Sequence, residues 1–262
     1  MRHFLTAACL ALAGCAHTAQ PEPSTSTTPS TSMTPTFSAQ AIIDAPDRTE
    51  ADRAIDAGRH PAAMLEFIGV RPGMKVAELM AGAGYTTELL ARAVGPTGTV
   101  YGENPKFILE RFVEKRWSER LARPVNQNVV RVDRELDDPL PPEATNLDAV
   151  VSNAIYHDTV WLKTDRAKMN AAVFRALKPG GVYIVIDSSA KPGTGVNDVE
   201  TLHRIDEQLV RNEVLAAGFQ LAGESDVWRN PQDARDWNVS PSTAGERRGT
   251  GDRFALKFVK PR

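Results

Sequence analysis

Three short stretches of this 262-residue chain carry side chains and backbone suited to chemistry. The first is Glu78-Leu79-Met80-Ala81-Gly82-Ala83-Gly84. Two glycines one residue apart let the chain turn sharply and let a ligand lie close to the backbone, because neither carries a Cβ. Glu78, just before them, supplies a carboxylate. The second stretch is Tyr156-His157-Asp158. A histidine suits proton transfer because its ordinary pKa of about 6.5 lies near working pH, so His157 is the candidate general base, with Tyr156 and Asp158 beside it. The third is His203-Arg204-Ile205-Asp206, where a spacing of three would set His203 and Asp206 on one face of a helix. Neither histidine cluster alone has the ligand number and spacing of a zinc site, so no metal is expected.

The elements around these residues must place them. Val76, Ala77 and Leu79 form an apolar run too short for a helix and suited to a buried parallel strand. Thr86 and Thr87 are expected to cap a helix with Leu89, Leu90 and Val94 on its apolar face, stopping at Gly95. Thr99-Val100-Tyr101 then reads as a second strand. A glycine loop at the carboxyl end of the first strand of a β-α-β unit is the usual ligand crevice of an open α/β sheet. The dinucleotide fingerprint G-x-G-x-x-G is absent, because Met80 and Thr87 stand where its outer glycines would be. No Gly-Lys-Ser/Thr of a phosphate loop follows either.

Upstream, Thr49 and Asp52 resemble a capping box, and Pro61 opens a helix whose Met64, Leu65 and Ile68 should face the sheet. Asp44, Asp47 and Arg48 read as exposed linker charges rather than as crevice residues. Downstream, a single amphipathic helix is expected from Pro105 through Leu121, with Phe107, Ile108 and Phe112 on its apolar side. Strands follow at 129–132, 147–151, 182–187 and 253–259, with one helix over 198–217. Trp228, Arg229 and Trp237, in the long connection 227–252, read either as a lid over the crevice or as a satellite cluster.

The stretch from Glu78 to Gly84 resembles motif I of class I S-adenosylmethionine-dependent methyltransferases, E/D-x-G-x-G-x-G, with Met80 in place of the first glycine. Leu147-Asp148-Ala149-Val150-Val151-Ser152-Asn153 followed by Phe174-Arg175-Ala176-Leu177-Lys178-Pro179-Gly180-Gly181-Val182 resembles motifs IV to VI of that family. The narrower likeness is to an exported "predicted methyltransferase" group, carried by the D-A-P-D-R, Y-H-D and H-R-I-D segments. The resemblance covers residues 41–262. It implies a doubly wound, mostly parallel seven-stranded α/β sheet, Rossmann-like, closed by a carboxyl-terminal antiparallel hairpin. It also implies S-adenosyl-L-methionine as cofactor; it does not supply the methyl acceptor, for which a small molecule is the expectation. Carried over residue by residue, it assigns Glu78, Ala81, Gly82, Gly84 and Asn153 to the cofactor crevice. Asn104, with Glu103 before it, falls where the family has a ribose-binding acid, and Asp133 where the family reads the adenine. Met80 and Asn104 depart from the motif, and they favour the alternative of a non-catalytic protein that keeps the fold to bind another ligand or partner.

A hydrophobic content of 42%, a formal net charge of −2 and a pI near 6.2 describe an ordinary globular chain and not a nucleic-acid binder. The amino terminus is different. A short positive region, an apolar core from Phe4 to Ala13, and Leu12-Ala13-Gly14-Cys15 match a bacterial lipoprotein signal, with cleavage before Cys15. Residues 1–14 are thus expected to be a signal peptide and Cys15 the lipidated first residue. Residues 15–40, rich in Ser, Thr and Pro, are expected to be a flexible tether. Residues 41–262 would be the methyltransferase-like domain. The expected location is the cell envelope, anchored through lipid at the periplasmic face of the outer membrane.

Overall fold

The structure, a computed structural model, describes residues 37–262. The signal segment, Cys15 and the tether up to residue 36 lie outside the described residues. Seven strands form one sheet: β1 (Lys75–Leu79), β2 (Thr99–Asn104), β3 (Val129–Asp133), β4 (Leu147–Asn153), β5 (Leu177–Ser188), β6 (Gln220–Glu224) and β7 (Arg253–Val259). Their order is β3-β2-β1-β4-β5-β7-β6. The first five run parallel, β7 is antiparallel to β5, and β6 is antiparallel to β7. This is the doubly wound sheet with a closing hairpin that the sequence predicts. The chain winds outward from β1 to β3 and returns to start β4 on the other side of β1. Ligands bind where such an order reverses, at the carboxyl ends of β1 and β4.

Helices cover both faces. The first four, α1 (Ala39–Ile43), α2 (Glu50–Arg53), α3 (Asp56–Arg59) and α4 (Pro61–Ile68), precede β1, and α5 (Tyr85–Val94) follows it. Met64, Leu65 and Ile68 of α4 pack with Leu89, Leu90 and Val94 of α5 against Val76, Val100 and Val151. Each such side chain contributes about 1.5–3 kcal/mol on full burial. The other face is covered by α9 (Arg166–Ala176) and α11 (Glu207–Ala216), with Met169, Val173, Val210 and Val214 packed on Leu79, Val150 and Tyr183.

Four local expectations change. Residues 37–40 belong to the folded part, because Ser38 caps α1 and the Arg71 guanidinium stacks on Phe37. Thr86 and Thr87 lie inside α5, whose N-cap is Gly84 without a side-chain bond. The expected helix over 105–121 is α6 (Lys106–Ile108), a π turn (Leu109–Val113) and α7 (Glu114–Leu121). The extra residue of a π turn rotates the helix face that follows it. Trp117, after the turn, is the fully buried residue of this segment, and Phe107 and Phe112 are exposed. The expected helix over 198–217 breaks after α10 (Val199–Leu202), where His203 adopts a left-handed φ of 51° and Asp206 starts α11 by accepting from Gln208 N. His203 and Asp206 therefore do not share a helix face. The remaining short helix is α8 (Asp158–Trp161).

Candidate functional site

The loop after β1 is held by the end of β2. Glu103 accepts a hydrogen bond from Met80 N at 2.8 Å, and its carbonyl accepts from Ala81 N at 2.7 Å. Asn104 accepts from Gly82 N at 2.8 Å and donates to Gly82 O at 3.1 Å. Both side chains are buried and act as clamps on the loop. Met80 keeps the left-handed turn a glycine would favour, with φ 46°. That conformation costs a non-glycine residue roughly 1–2 kcal/mol, and the bond to Glu103 offsets part of it. Gly82 and Gly84 are also left-handed, for different reasons. A Cβ on Gly84 would meet Trp117 at 2.5 Å, whereas one on Gly82 would meet no protein atom within 4 Å.

A crevice of about 790 Å³ opens beside this loop. Glu78, Ala81 and Asn153 line it from the sheet side and Asp52, Arg59 and Arg120 from the helices. Glu78 is pushed up to about 7, chiefly by burial, against the opposing pull of the Thr87 and Thr86 hydroxyls and the Arg59 and Arg120 cations. Glu103 is pushed well above the carboxylate range by burial, and its Oε1 has no partner among the described residues. Arg120 ties the roof together. It bonds Ala83 O at 2.6 Å, pairs with Asp52 at 2.8 Å, and pairs with Glu88 at 2.7 Å. Arg48 is buried and pairs with Asp56 at 2.7 Å, and Asp56 also accepts from the Tyr85 hydroxyl at 2.6 Å. It is thus a structural clasp and not a linker charge. Asp47 pairs with Arg92 and Asp44 accepts from Gln40, so neither faces the crevice.

A second cavity, of about 500 Å³, adjoins the first and shares Ile55, Arg59 and Ala154 with it. His157, Asp158, His203 and Arg253 line it. The His157 ring is clamped between two carboxylates. Nδ1 lies 2.7 Å from Asp187 Oδ1, and Nε2 lies 3.2 Å from Asp158 Oδ1. Burial disfavours its charge, but Asp187 and Asp158 outweigh burial and lift it to about 10. This corrects the expectation of a free imidazole base, since each ring nitrogen faces a carboxylate. The His203 ring stands edge-on to His157, with centroids 5.3 Å apart. Arg59 and Arg253 have no carboxylate partner among the described residues. Burial and the nearby Arg59 cation pull Arg253 down to about 10.

Other expected site residues are placed elsewhere. Tyr156 is fully buried, and its hydroxyl donates to Glu213 and accepts from Asn170, away from both cavities. Asp133 is exposed at the end of β3 and paired with Arg131 at 2.8 Å. Trp228 packs with Phe67 and donates to Arg59 O, while Trp237 donates to Asp233. They form satellite clusters, and Val239, Ser240 and Pro241 of the same connection supply the cavity wall. The sequence reading missed Arg59, Arg120 and Asp187. A further hollow of about 720 Å³ between α1 and α5 has Arg92 as its charged group, already paired with Asp47 and Glu88, and offers no chemistry.

A family model described as protein-L-isoaspartate(D-aspartate) O-methyltransferase matches residues 24–132. A protein-L-isoaspartate O-methyltransferase of Ignicoccus hospitalis is 30% identical over 155 residues, which cover 58% of this chain and 65% of that protein. An uncharacterized protein of transposon TN4556 in Streptomyces fradiae is 30% identical over 191 residues, 70% of this chain and 51% of that protein. The chain therefore spans about half to two thirds of these relatives' lengths. Among solved structures, a SAM-dependent methyltransferase from Aquifex aeolicus superposes with a TM-score of 0.55 at 18% identity, over 85% of this chain and 98% of that one. The fold is that of the class I methyltransferases.

Proposed function

We propose that this protein transfers a methyl group from S-adenosyl-L-methionine to a small-molecule acceptor. The observation that carries the proposal is the joining of two cavities at the carboxyl ends of β1 and β4. One is framed by the glycine loop and the other by polar and cationic side chains. The residues of the first fit the cofactor. Beside this crevice, Gly82 leaves open space over the backbone. Glu78 and Arg59 line the same crevice and match the ammonium and carboxylate of an amino-acid end. Met80 keeps the left-handed turn, so this departure from the motif does not distort the loop.

When bound, the cofactor supplies an electrophilic methyl group on a sulfonium. Catalysis of such an in-line displacement is mainly a matter of holding two partners in line and excluding water. Asn104 and Glu103 fix the loop, Arg120 fixes the roof, and Ala154 stands where the two cavities meet. Arg59 and Arg253 give the acceptor cavity a positive character, which suits an acceptor with an anionic end.

Thermal denaturation with the cofactor tests the proposal. A ligand that binds only the native state stabilises it by about 2.7 kcal/mol at a hundredfold excess over Kd. At roughly 2–4 °C per kcal/mol for a domain of this size, that raises Tm by about 5–11 °C. Gly82→Val should abolish the rise; its Cβ meets no protein atom within 4 Å, but the left-handed φ of 58° strains a branched residue, so the shift is read against the variant's own ligand-free Tm. A wild-type chain that melts cooperatively and shows neither a shift nor calorimetric binding would refute the assignment.

A further inference from the structure

The fold brings together residues that lie far apart in the sequence. His157 and Asp158 follow β4, and His203 sits at the break between α10 and α11. His157 Nε2 is 3.2 Å from Asp158 Oδ1, His203 Nδ1 is 3.8 Å from the same oxygen, and all three donor atoms lie within 4.8 Å of one another. We propose that His157, Asp158 and His203 bind one divalent metal ion of the zinc class, with its open coordination position facing the adjoining cavity.

The geometry suits such an ion. Nitrogen and oxygen ligands at roughly 2.0–2.2 Å in a tetrahedron stand about 3.3 Å apart; the two distances to Asp158 are already 3.2 and 3.8 Å, and the two histidine nitrogens would close from at most 4.8 Å. The supporting contacts are those metal sites use. A ligating histidine gives its other ring nitrogen to a carboxylate, and ligating carboxylates are themselves hydrogen-bonded. Here Asp187 holds His157 Nδ1 at 2.7 Å and leaves Nε2 directed at the cluster, where the ion would displace the Nε2 proton to solvent, while Trp161 Nε1 donates to Asp158 Oδ1 at 2.7 Å. Asp187 is fully buried and also accepts from His157 N at 2.9 Å, so the ring cannot swing.

A plain ion pair between His157 and its two carboxylates leaves His203 unexplained. That residue holds a left-handed backbone, which is uncommon outside glycine, and it turns its ring toward His157. Three protein ligands with a cavity on the open side is the arrangement of catalytic rather than structural zinc. Two imidazoles and one carboxylate select a borderline cation over magnesium or calcium, which prefer all-oxygen shells. A donor atom of a molecule in the 500 Å³ cavity would complete the shell.

The proposal stands apart from the methyl-transfer reading, and its test uses no cofactor. The full chain, stripped with a chelator and freed of it, is titrated with Co²⁺ and followed by its visible ligand-field absorption. One equivalent should saturate the signal, and Zn²⁺ should displace it. His203→Ala removes a partly exposed ligand at a helix break and should weaken binding by at least about tenfold, with circular dichroism unchanged. Asp187→Asn should weaken it by roughly 10–100-fold, as loss of an orienting carboxylate does. No ligand-field spectrum from the folded wild-type chain would overturn the proposal. So would a spectrum that persists in both His203→Ala and His157→Ala, or one with thiolate charge transfer, which would put the ion on Cys9 or Cys15. Either failure leaves methyl transfer untouched.

Discussion

Replacing Glu78 by glutamine should change how stability responds to pH, and the size of the change follows from where Glu78 lies. Its carboxyl is buried at the end of β1 with Thr87 donating to it, and burial lifts it from an ordinary 4.5 to about 7. An acid with a raised pKa keeps its proton in the folded state after the unfolded chain has lost it. Stability from this group is therefore fully present below about 4.5 and falls as pH rises toward 7, then levels off. At 1.36 kcal/mol per pKa unit, the wild-type chain should lose about 2.5 kcal/mol relative to Glu78→Gln between about pH 5 and pH 8. Urea unfolding of both proteins across that range measures the difference directly. Glutamine keeps the shape and cannot ionise, so its own curve supplies the background of all other groups. A wild-type-minus-variant gap that is flat, or that grows with pH, would refute the account of Glu78 as a buried carboxyl held near neutrality. The same carboxyl links pH to ligand binding. A cationic ammonium favours the ionised form, so cofactor affinity should rise through about pH 6 to 7 in the wild type, by roughly fivefold, and stay level in the variant.

Gly84→Ala should lower stability by about 1–3 kcal/mol, because its Cβ would press on the Trp117 ring and adopt a left-handed φ; a fall in Tm without ligand checks this. Arg120→Ala should cost about 3 kcal/mol in chemical denaturation, since it leaves Asp52 and part of the buried Glu88 charge unmatched; an unchanged urea midpoint would show the ion pairs to be incidental.

The sheet could be read from the sequence because its strands are apolar runs punctuated by Gly, Pro and Asn, and because the glycine loop marks the end of the first. The site could be read only where chemistry coincides with such punctuation. Gly82 and Gly84 were found this way. Arg59 and Arg120 were not, because each sits among other charged residues in its own stretch and only the fold selects which arginine turns inward. Asp187 is a partial exception. It lies one residue before the end of β5, and β5 pairs with β4 in parallel with Asn153 opposite Ile186, so a residue just after β4 lies within reach of it. The expected helix over 198–217 hid the break at His203, because no glycine or proline marks it and the left-handed turn falls on the histidine itself. The π turn at 109–113 is equally silent; Phe112, expected on the apolar side, is exposed, and Trp117 is buried instead.

The segment before β1 belongs to the site as much as the glycine loop does. Arg48, Asp52 and Asp56 come from the chain ahead of the first strand; Arg48 pairs with Asp56, while Tyr85 from the helix after β1 bonds Asp56 and Arg120 from a helix after β2 pairs with Asp52. Arg120 meets two carboxylates and a loop carbonyl at once, so the crevice roof, the loop and the leading helices cannot move independently without separating buried charges. Separating such a pair is costly because each charge would be left in a poorly solvated setting. A ligand in the crevice would therefore be enclosed by charged clasps at its edge and not by the apolar helix faces, which are already spent on the sheet. That division explains why the polar residues of this short leading segment are buried while Phe107 and Phe112, farther along, remain in solvent.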